Sequence, residues 1–257
     1  MSALSENLQL ALDLADAADR ITMRYFQSDR LVVDTKPDMT PVTQADRETE
    51  QAIRRILEEK RPDHAVLGEE FGGGETARAP VRWIIDPIDG TKRYMRGVPS
   101  FGTLLALEQA GELVIGVASA PALGRRWWAA RGEGAFVNDR RLRVSQVKDL
   151  MAAHLALASL DSWLSQGLYG RLEGIASRAW TSTGFGDFWI HMLVAEGAAE
   201  AALEPAGALW DFAALKVIVE EAGGQFTDFR GNRVADGGSG LSSNGGPIHA
   251  ELLSLLS

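Results

Sequence analysis

The 257-residue sequence contains no cysteine and only four histidines, His64, His154, His191 and His249. The first absence excludes disulfides, thiolate metal sites and a cysteine nucleophile together. No two histidines stand at the spacing of a helical zinc motif, so any metal has to be held mainly by oxygen ligands. Basic residues are scarce, with 26 Lys and Arg against 35 Asp and Glu for a net charge of −9. A chain without basic excess has little with which to release counterions from a phosphate backbone, which argues against a general nucleic-acid binder. No run approaches the ~18 apolar residues needed to cross a bilayer. The first twenty residues have no basic segment ahead of an apolar one, so they do not read as a signal peptide. The expected setting is the cytoplasm, with neither membrane nor nucleic acid as partner.

What is present suits a folded protein with a substantial core: 46% hydrophobic and 24% charged residues. Apolar positions recur at helical steps from Leu4 to Tyr25, which predicts an amphipathic helix through about residue 27. Leu31 to Val33 reads as a strand ending near Lys36-Pro37-Asp38, and Pro41-Val42-Thr43 leads into a helix over 44–60. A short strand at 65–67 runs into Gly68-Glu69-Glu70, and the glycine-rich stretch 72–77 is expected to be mobile. An apolar strand over 81–85 is expected to stop at Asp86-Pro87. Strands then follow at 101–107, 113–118, 126–130 and 135–137, with a hairpin turn at Gln109-Ala110-Gly111-Glu112. This part predicts an antiparallel sheet with helices on one side.

After about residue 150 the pattern changes. Strand-like segments at 155–158, 178–182 and 200–204 alternate with helical ones at 163–177, 187–197, 211–222 and 247–256. The expected class is α/β, with an α+β N-terminal subdomain over 1–148 and an α/β C-terminal subdomain over 149–257.

The chemistry concentrates in Trp83-Ile84-Ile85-Asp86-Pro87-Ile88-Asp89-Gly90-Thr91. A buried strand delivers two carboxylates three residues apart, and Pro87 restricts the backbone between them. A tight turn there aims both carboxylates and the Ile88 carbonyl at one point, a donor set suited to Mg²⁺. Gly90 permits close backbone approach to a ligand. A turn with two solvated aspartates is the competing reading. Asp46 falls in the first turn of a helix behind the N-cap candidate Thr43, where a carboxylate also serves the helix dipole. Asp211 opens a helix and could simply cap it. Locally, Glu69 and Glu70 are equivalent.

Gly68-Glu69-Glu70, the DPIDGT run at 86–91, and Leu209-Trp210-Asp211-Phe212-Ala213-Ala214 ahead of Glu220-Glu221-Ala222-Gly223-Gly224 occur in the order of the inositol monophosphatase superfamily. The resemblance spans about residues 30 to 245. It implies a layered αβαβα sandwich and Mg²⁺-dependent phosphomonoesterase activity with two or three ions per site. It also implies a small phosphorylated substrate and a homodimer. Carried over by position, Glu69, Asp86, Asp89, Asp211 and the Ile88 carbonyl resemble the metal ligands. Thr91 resembles the threonine that orients the attacking water, with Asp46 paired to it as proton acceptor and Glu69 also catalytic. The Gly90 and Thr91 amides are the implied phosphate contacts.

Gly90-Thr91-Lys92-Arg93-Tyr94-Met95-Arg96-Gly97-Val98-Pro99 is similar to the GTKNFVRGVP run of the histidinol-phosphate phosphatases in this superfamily, with Arg93 in place of the usual asparagine. Asp187 and Glu204 fall where the family meets the organic part of its substrate. Carboxylates there suit a cationic leaving group better than a neutral polyol. Asp187 could otherwise be a helix cap. Lys92, Arg93 and Arg96 read either as steering charges for an anionic substrate or as a solvated rim. The expected reaction is hydrolysis of L-histidinol phosphate, with inositol-1-phosphate as the alternative substrate and nucleotide or fructose-bisphosphate esters behind it. A non-catalytic metal- or phosphate-binding protein is disfavoured because Asp46, Glu69, Asp86, Asp89, Thr91 and Asp211 are all intact.

Overall fold

A computed structural model of the chain describes residues 3–37, 39–73, 79–232 and 237–256. Two helices begin it, α1 (Ala3–Tyr25) and α2 (Gln44–Lys60), separated by a hairpin of β1 (Val33–Thr35) and β2 (Pro41–Thr43). A seven-stranded sheet follows, ordered β3 (Ala65–Gly68), β4 (Val81–Asp89), β5 (Gly102–Gln109), β6 (Glu112–Ala120), β7 (Arg125–Ala130), β8 (Gly134–Val137) and β9 (Arg140–Arg141). Only the β3–β4 pair is parallel. The short helix α3 (Thr91–Tyr94) springs from the end of β4.

The rest of the chain builds β10 (His154–Leu157), α4 (Leu160–Ser165), α5 (Tyr169–Ala176), β11 (Thr181–Gly184), α6 (Asp187–Ala195), β12 (Ala201–Ala208), α7 (Leu209–Glu221), β13 (Gln225–Thr227), β14 (Gly237–Ser243) and α8 (Gly246–Leu256). Its five strands form one sheet in the order β11-β10-β12-β14-β13, with β14 antiparallel to both neighbours. Helices α1 and α2 cover one face of the large sheet, α6 and α7 lie between the two sheets, and α4, α5 and α8 back the small one. The result is the αβαβα sandwich. No described helix is long and apolar enough to cross a membrane.

Strand periodicity explains the layering. Trp83, Ile85, Leu105, Leu107, Ile115 and Val117 point into the core under α1 and α2. Their neighbours Ile84, Leu104, Ala106 and Ala118 point the other way, into a larger core shared with α6, α7 and the small sheet. The large sheet is therefore covered on both faces. The expectation of helices on one side is corrected here, because α7, far along the chain, supplies the second cover.

Other boundaries also moved. The strand over 81–85 continues through Pro87 to Asp89, with a register shift against β5 between Asp86 and Asp89. Such an irregularity absorbs a proline that has no N–H to give. The single helix expected over 163–177 is two, broken where Gly167 takes a left-handed φ of 68°. The strands expected at 31–33 and 178–182 lie at Val33–Thr35 and Thr181–Gly184, and β13 and β14 were not expected at all. The hairpin at Gln109 to Glu112 forms as expected, with Ala110 and Gly111 both at positive φ (51° and 80°). Of the glycine-rich stretch, residues 74–77 lie outside the described residues, as does Asp38.

Helix α7 lies so close to the large sheet that a Cβ at Gly116 would stand 2.3 Å from the Ala214 carbonyl oxygen. Gly116→Ala is expected to destabilise the protein by about 1–3 kcal/mol through overpacking, read as a lower urea midpoint. An unchanged midpoint would show that the two layers are not in tight contact.

Candidate active site

The irregular end of β4 turns two acids toward one point. Asp86 Oδ1 accepts from the Ile88 amide at 2.9 Å, closing a tight turn around Pro87. The Pro87 carbonyl is satisfied by Thr103 Oγ1 at 2.8 Å. Asp89 Oδ2 accepts from the Phe188 amide at 2.5 Å, in the first turn of α6. Asp211 is the third residue of α7, and its Oδ2 accepts from the Ala208 amide at 2.7 Å. The carboxylate does reach back over the helix start, but Ala208 is the cap residue and Asp211 the partner behind it. One oxygen each of Asp86, Asp89 and Asp211 lies within 4.8 Å of the others. These three could hold a metal ion: the donors are hard oxygens, and among the described residues no histidine or cysteine joins the group.

Burial raises all three acids. Asp86 is held well above the usual carboxylate range by burial first, then by Glu69, Asp89 and Asp211. Asp89 is raised by burial and then by Asp211. Asp211 is pushed up to about 7, again mainly by burial. Acids of one sign are thus crowded together and withdrawn from solvent, a strain that a bound cation could relieve.

Beside this cluster, Thr43 and Asp46 form a reciprocal cap at the start of α2. Asp46 Oδ2 accepts from the Thr43 amide (2.8 Å) and hydroxyl (2.5 Å), while the Ala45 amide donates to Thr43 Oγ1 at 3.1 Å. The cap leaves Asp46 Oδ1 facing Thr91 Oγ1 at 3.3 Å, and that hydroxyl also lies 3.0 Å from the Ile88 carbonyl. Asp46 is therefore both a helix-start residue and a member of the site. Its burial raises it to about 6.

Glu69 stands at the end of β3, next to Asp86 but outside the three-aspartate group. Buried Glu50 of α2 positions this turn by accepting from the Glu70 amide at 2.8 Å and the Phe71 amide at 3.3 Å. Glu69 lines the cavity, whereas the Glu70 side chain is 5% exposed and turned inward. Lys36 donates to both, at 2.8 and 2.7 Å. Burial alone pulls Lys36 down, but the two carboxylates outweigh it and push its ammonium up. The sequence marked 36–38 only as a strand end, and no pattern pointed to Lys36.

A cavity with a volume near 630 Å³ is walled by Gly90 and Trp210, the chain neighbours of Asp89 and Asp211, and by Glu69, Thr91, Arg93, Asp161 and Asp187. Asp161, Trp210 and Ser159, which also lines the cavity, were not expected there. Asp187 adopts a left-handed φ of 53°, uncommon for a side-chain-bearing residue, and the cap position belongs to Gly186 instead. Arg93 pairs with Asp187 and donates to the Phe185 carbonyl, so it clasps the start of α6 rather than hanging free in a solvated rim. Lys92 stays exposed, 3.8 Å from Asp161. Glu204 on β12 lies beside Asp89 and Asp211, and burial raises it to about 7. His64, His154 and His249 are each engaged elsewhere, with Trp83, with Ala198 and Thr183, and with Thr227 and Ser243.

Comparison with known proteins agrees with this architecture. The family model for the inositol monophosphatase family matches residues 3–257. A histidinol-phosphatase of Mycobacterium tuberculosis is 48% identical over 256 residues, 98% of each chain. One from Streptomyces coelicolor is 48% identical over 260 residues, covering 98% of this chain and 97% of the other. Among solved structures, the extragenic suppressor protein suhB of Bartonella henselae superposes with a TM-score of 0.90 at 30% identity, covering 98% of both chains. An inositol monophosphatase from Zymomonas mobilis gives 0.87 at 31% identity, covering 100% of this chain and 99% of its own.

The raised acids fix the sign of a pH effect. Asp46, Glu204 and Asp211 all titrate higher in the folded protein than in the unfolded chain. Each contributes stability that is complete below about pH 4 and is lost as pH rises through its folded value. Without added cations, the thermal midpoint is expected to fall between pH 5 and pH 8, and Mg²⁺ to restore more of it at pH 8. A cation-free midpoint that climbs over that range would contradict the assignment of these groups.

Proposed function

The chain belongs to the inositol monophosphatase family and is a phosphoric monoester hydrolase, and on that premise we propose that it hydrolyses L-histidinol phosphate to L-histidinol and phosphate. The single observation that carries the substrate is the 48% identity to histidinol-phosphatases over nearly the whole of both chains. Two acids support it: we read Asp187, which lines the cavity, and Glu204, beside Asp89 and Asp211, as the side that receives the organic part of the substrate, where an amine-bearing leaving group gains charge-assisted hydrogen bonds. A neutral polyol gains much less from a carboxylate pair.

The donor set fits Mg²⁺, which Asp86, Asp89, Asp211, Glu69 and the Ile88 carbonyl would hold, with two or three ions as the family resemblance implies. Mg²⁺ bound there would supply positive charge to offset that of the phosphate oxygens and would lower the pKa of a nearby water. Thr91 orients that water, and Asp46, its second oxygen fixed by the Thr43 cap, takes the proton. The Gly90 and Thr91 amides bind the phosphate, and Asp89 adds to the substrate contacts. Water oxygen bonds to phosphorus as Asp46 takes its proton, the ester P–O bond breaks, and the leaving alkoxide oxygen takes up a proton from solvent. Phosphate monoesters are among the slowest spontaneous hydrolyses, so charge neutralisation is the main demand on these residues. Lys36 holds Glu69 and Glu70 in place. A cytoplasmic homodimer is the form that the resemblance implies.

In a matched panel with Mg²⁺, phosphate release is expected to be fastest from L-histidinol phosphate. Faster release from inositol-1-phosphate would transfer the assignment to that branch and remove the role given to Asp187.

A further inference from the structure

The four histidines have no part in this chemistry, yet one of them touches it. His191 lies on α6, one turn beyond Asp187, and is fully buried between Phe212 and Phe226 (ring centroids at 6.1 and 5.2 Å). Its Nδ1 lies 2.8 Å from Ser242 Oγ and its Nε2 lies 3.4 Å from Glu204 Oε2. The strand register explains the bridge. β12 and β14 pair antiparallel, with Ala202 opposite Ser242 and Glu204 opposite Gly240. Ser242 therefore stands next to the position two residues before Glu204, and the ring spans the two strands.

We propose that His191 is a positioning residue that aims the Glu204 carboxylate at the amine of the leaving group. The inference rests on the reading of Glu204 given above. With Glu204 ionised, Ser242 donates to Nδ1 and Nε2–H donates to the carboxylate, so both ring nitrogens are satisfied inside the core. Burial pulls the imidazole down to about 3, so the ring stays neutral and adds no charge to cancel that of Glu204. It is the hydrogen-bond partner that the structure gives Glu204 among the described residues. Because α6 carries Asp187 at its start and His191 one turn later, one helix sets both acidic contacts. A purely structural core histidine would fill the same space without bearing on substrate choice.

The test compares L-histidinol phosphate with its amine-free analogue, 3-(imidazol-4-yl)propyl phosphate, in steady-state assays with Mg²⁺. His191→Phe is expected to raise KM for histidinol phosphate about tenfold, leaving kcat and the KM of the analogue within about twofold. His191→Gln, which returns an N–H near the Nε2 position, is expected to recover most of that loss. Ser242→Ala, which frees the ring, is expected to raise the same KM about threefold. A proportional loss on both esters, or no change on either, overturns the proposal. If His191→Phe does not fold, Ser242→Ala and His191→Gln decide alone: a KM ratio unmoved by Ser242→Ala counts against it. Glu204→Gln separates the two levels. If that variant keeps the wild-type KM ratio, the reading of Glu204 itself fails and His191 loses its role with it. If Glu204→Gln collapses the ratio and His191→Phe does not, only the His191 proposal fails.

Discussion

Like charges that share a dry site cannot all remain ionised. Two carboxylates ~4 Å apart repel by about 4 kcal/mol at an effective dielectric near 20. Asp86, Asp89 and Asp211 are held within 4.8 Å of one another, with Glu69 and Glu204 alongside. A fold that assembles such a group needs either protons or cations to hold it. Each of the three aspartates is fixed by one backbone amide, from Ile88, Phe188 and Ala208, through one carboxylate oxygen. That arrangement fixes geometry without neutralising charge, as a cation site requires.

The layers explain how distant segments meet there. Asp86 and Asp89 arrive on the large sheet, the amide that holds Asp89 comes from α6, and Asp211 opens α7. Both helices are trapped between the two sheets, with Gly116 against Ala214 fixing how closely α7 seats. The Arg93 clasp on Phe185 and Asp187 ties the end of β4 to the start of α6. Arg93 therefore meets part of the charge of Asp187 and also acts on Glu204, which has His191 behind it.

Much of this was legible in the residues, for identifiable reasons. Asp46 behind Thr43 is a local capping pattern, and local patterns survive tertiary context; Thr43 and Asp46 form the expected helix start. The DPIDGT run announced a turn with convergent oxygens, and the structure brings Asp86 and Asp89 together. The strand nevertheless continues through Pro87, because an irregular pairing with β5 tolerates a proline that ends most strands. Long-range facts had no local signal. Lys36 reaches Glu69 across 33 residues of chain, and Trp210 and Asp161 reach the cavity only through the packing of separate layers. β14 was missed because Gly237-Gly238-Ser239-Gly240-Leu241-Ser242-Ser243 has turn-like composition, yet it is paired on both sides. His191 was silent for the same reason: its partners lie on two other strands.

The central claim is that the aspartate cluster is a cation site kept partly protonated until cations arrive. Calorimetric titration of Mg²⁺ into cation-free protein near pH 7, repeated in buffers of different ionisation enthalpy, counts the protons released on binding. The account predicts that Mg²⁺ binding expels protons, and that the number falls as pH rises past the raised carboxyl values. Binding whose heat is independent of the buffer, with no proton released, would contradict it.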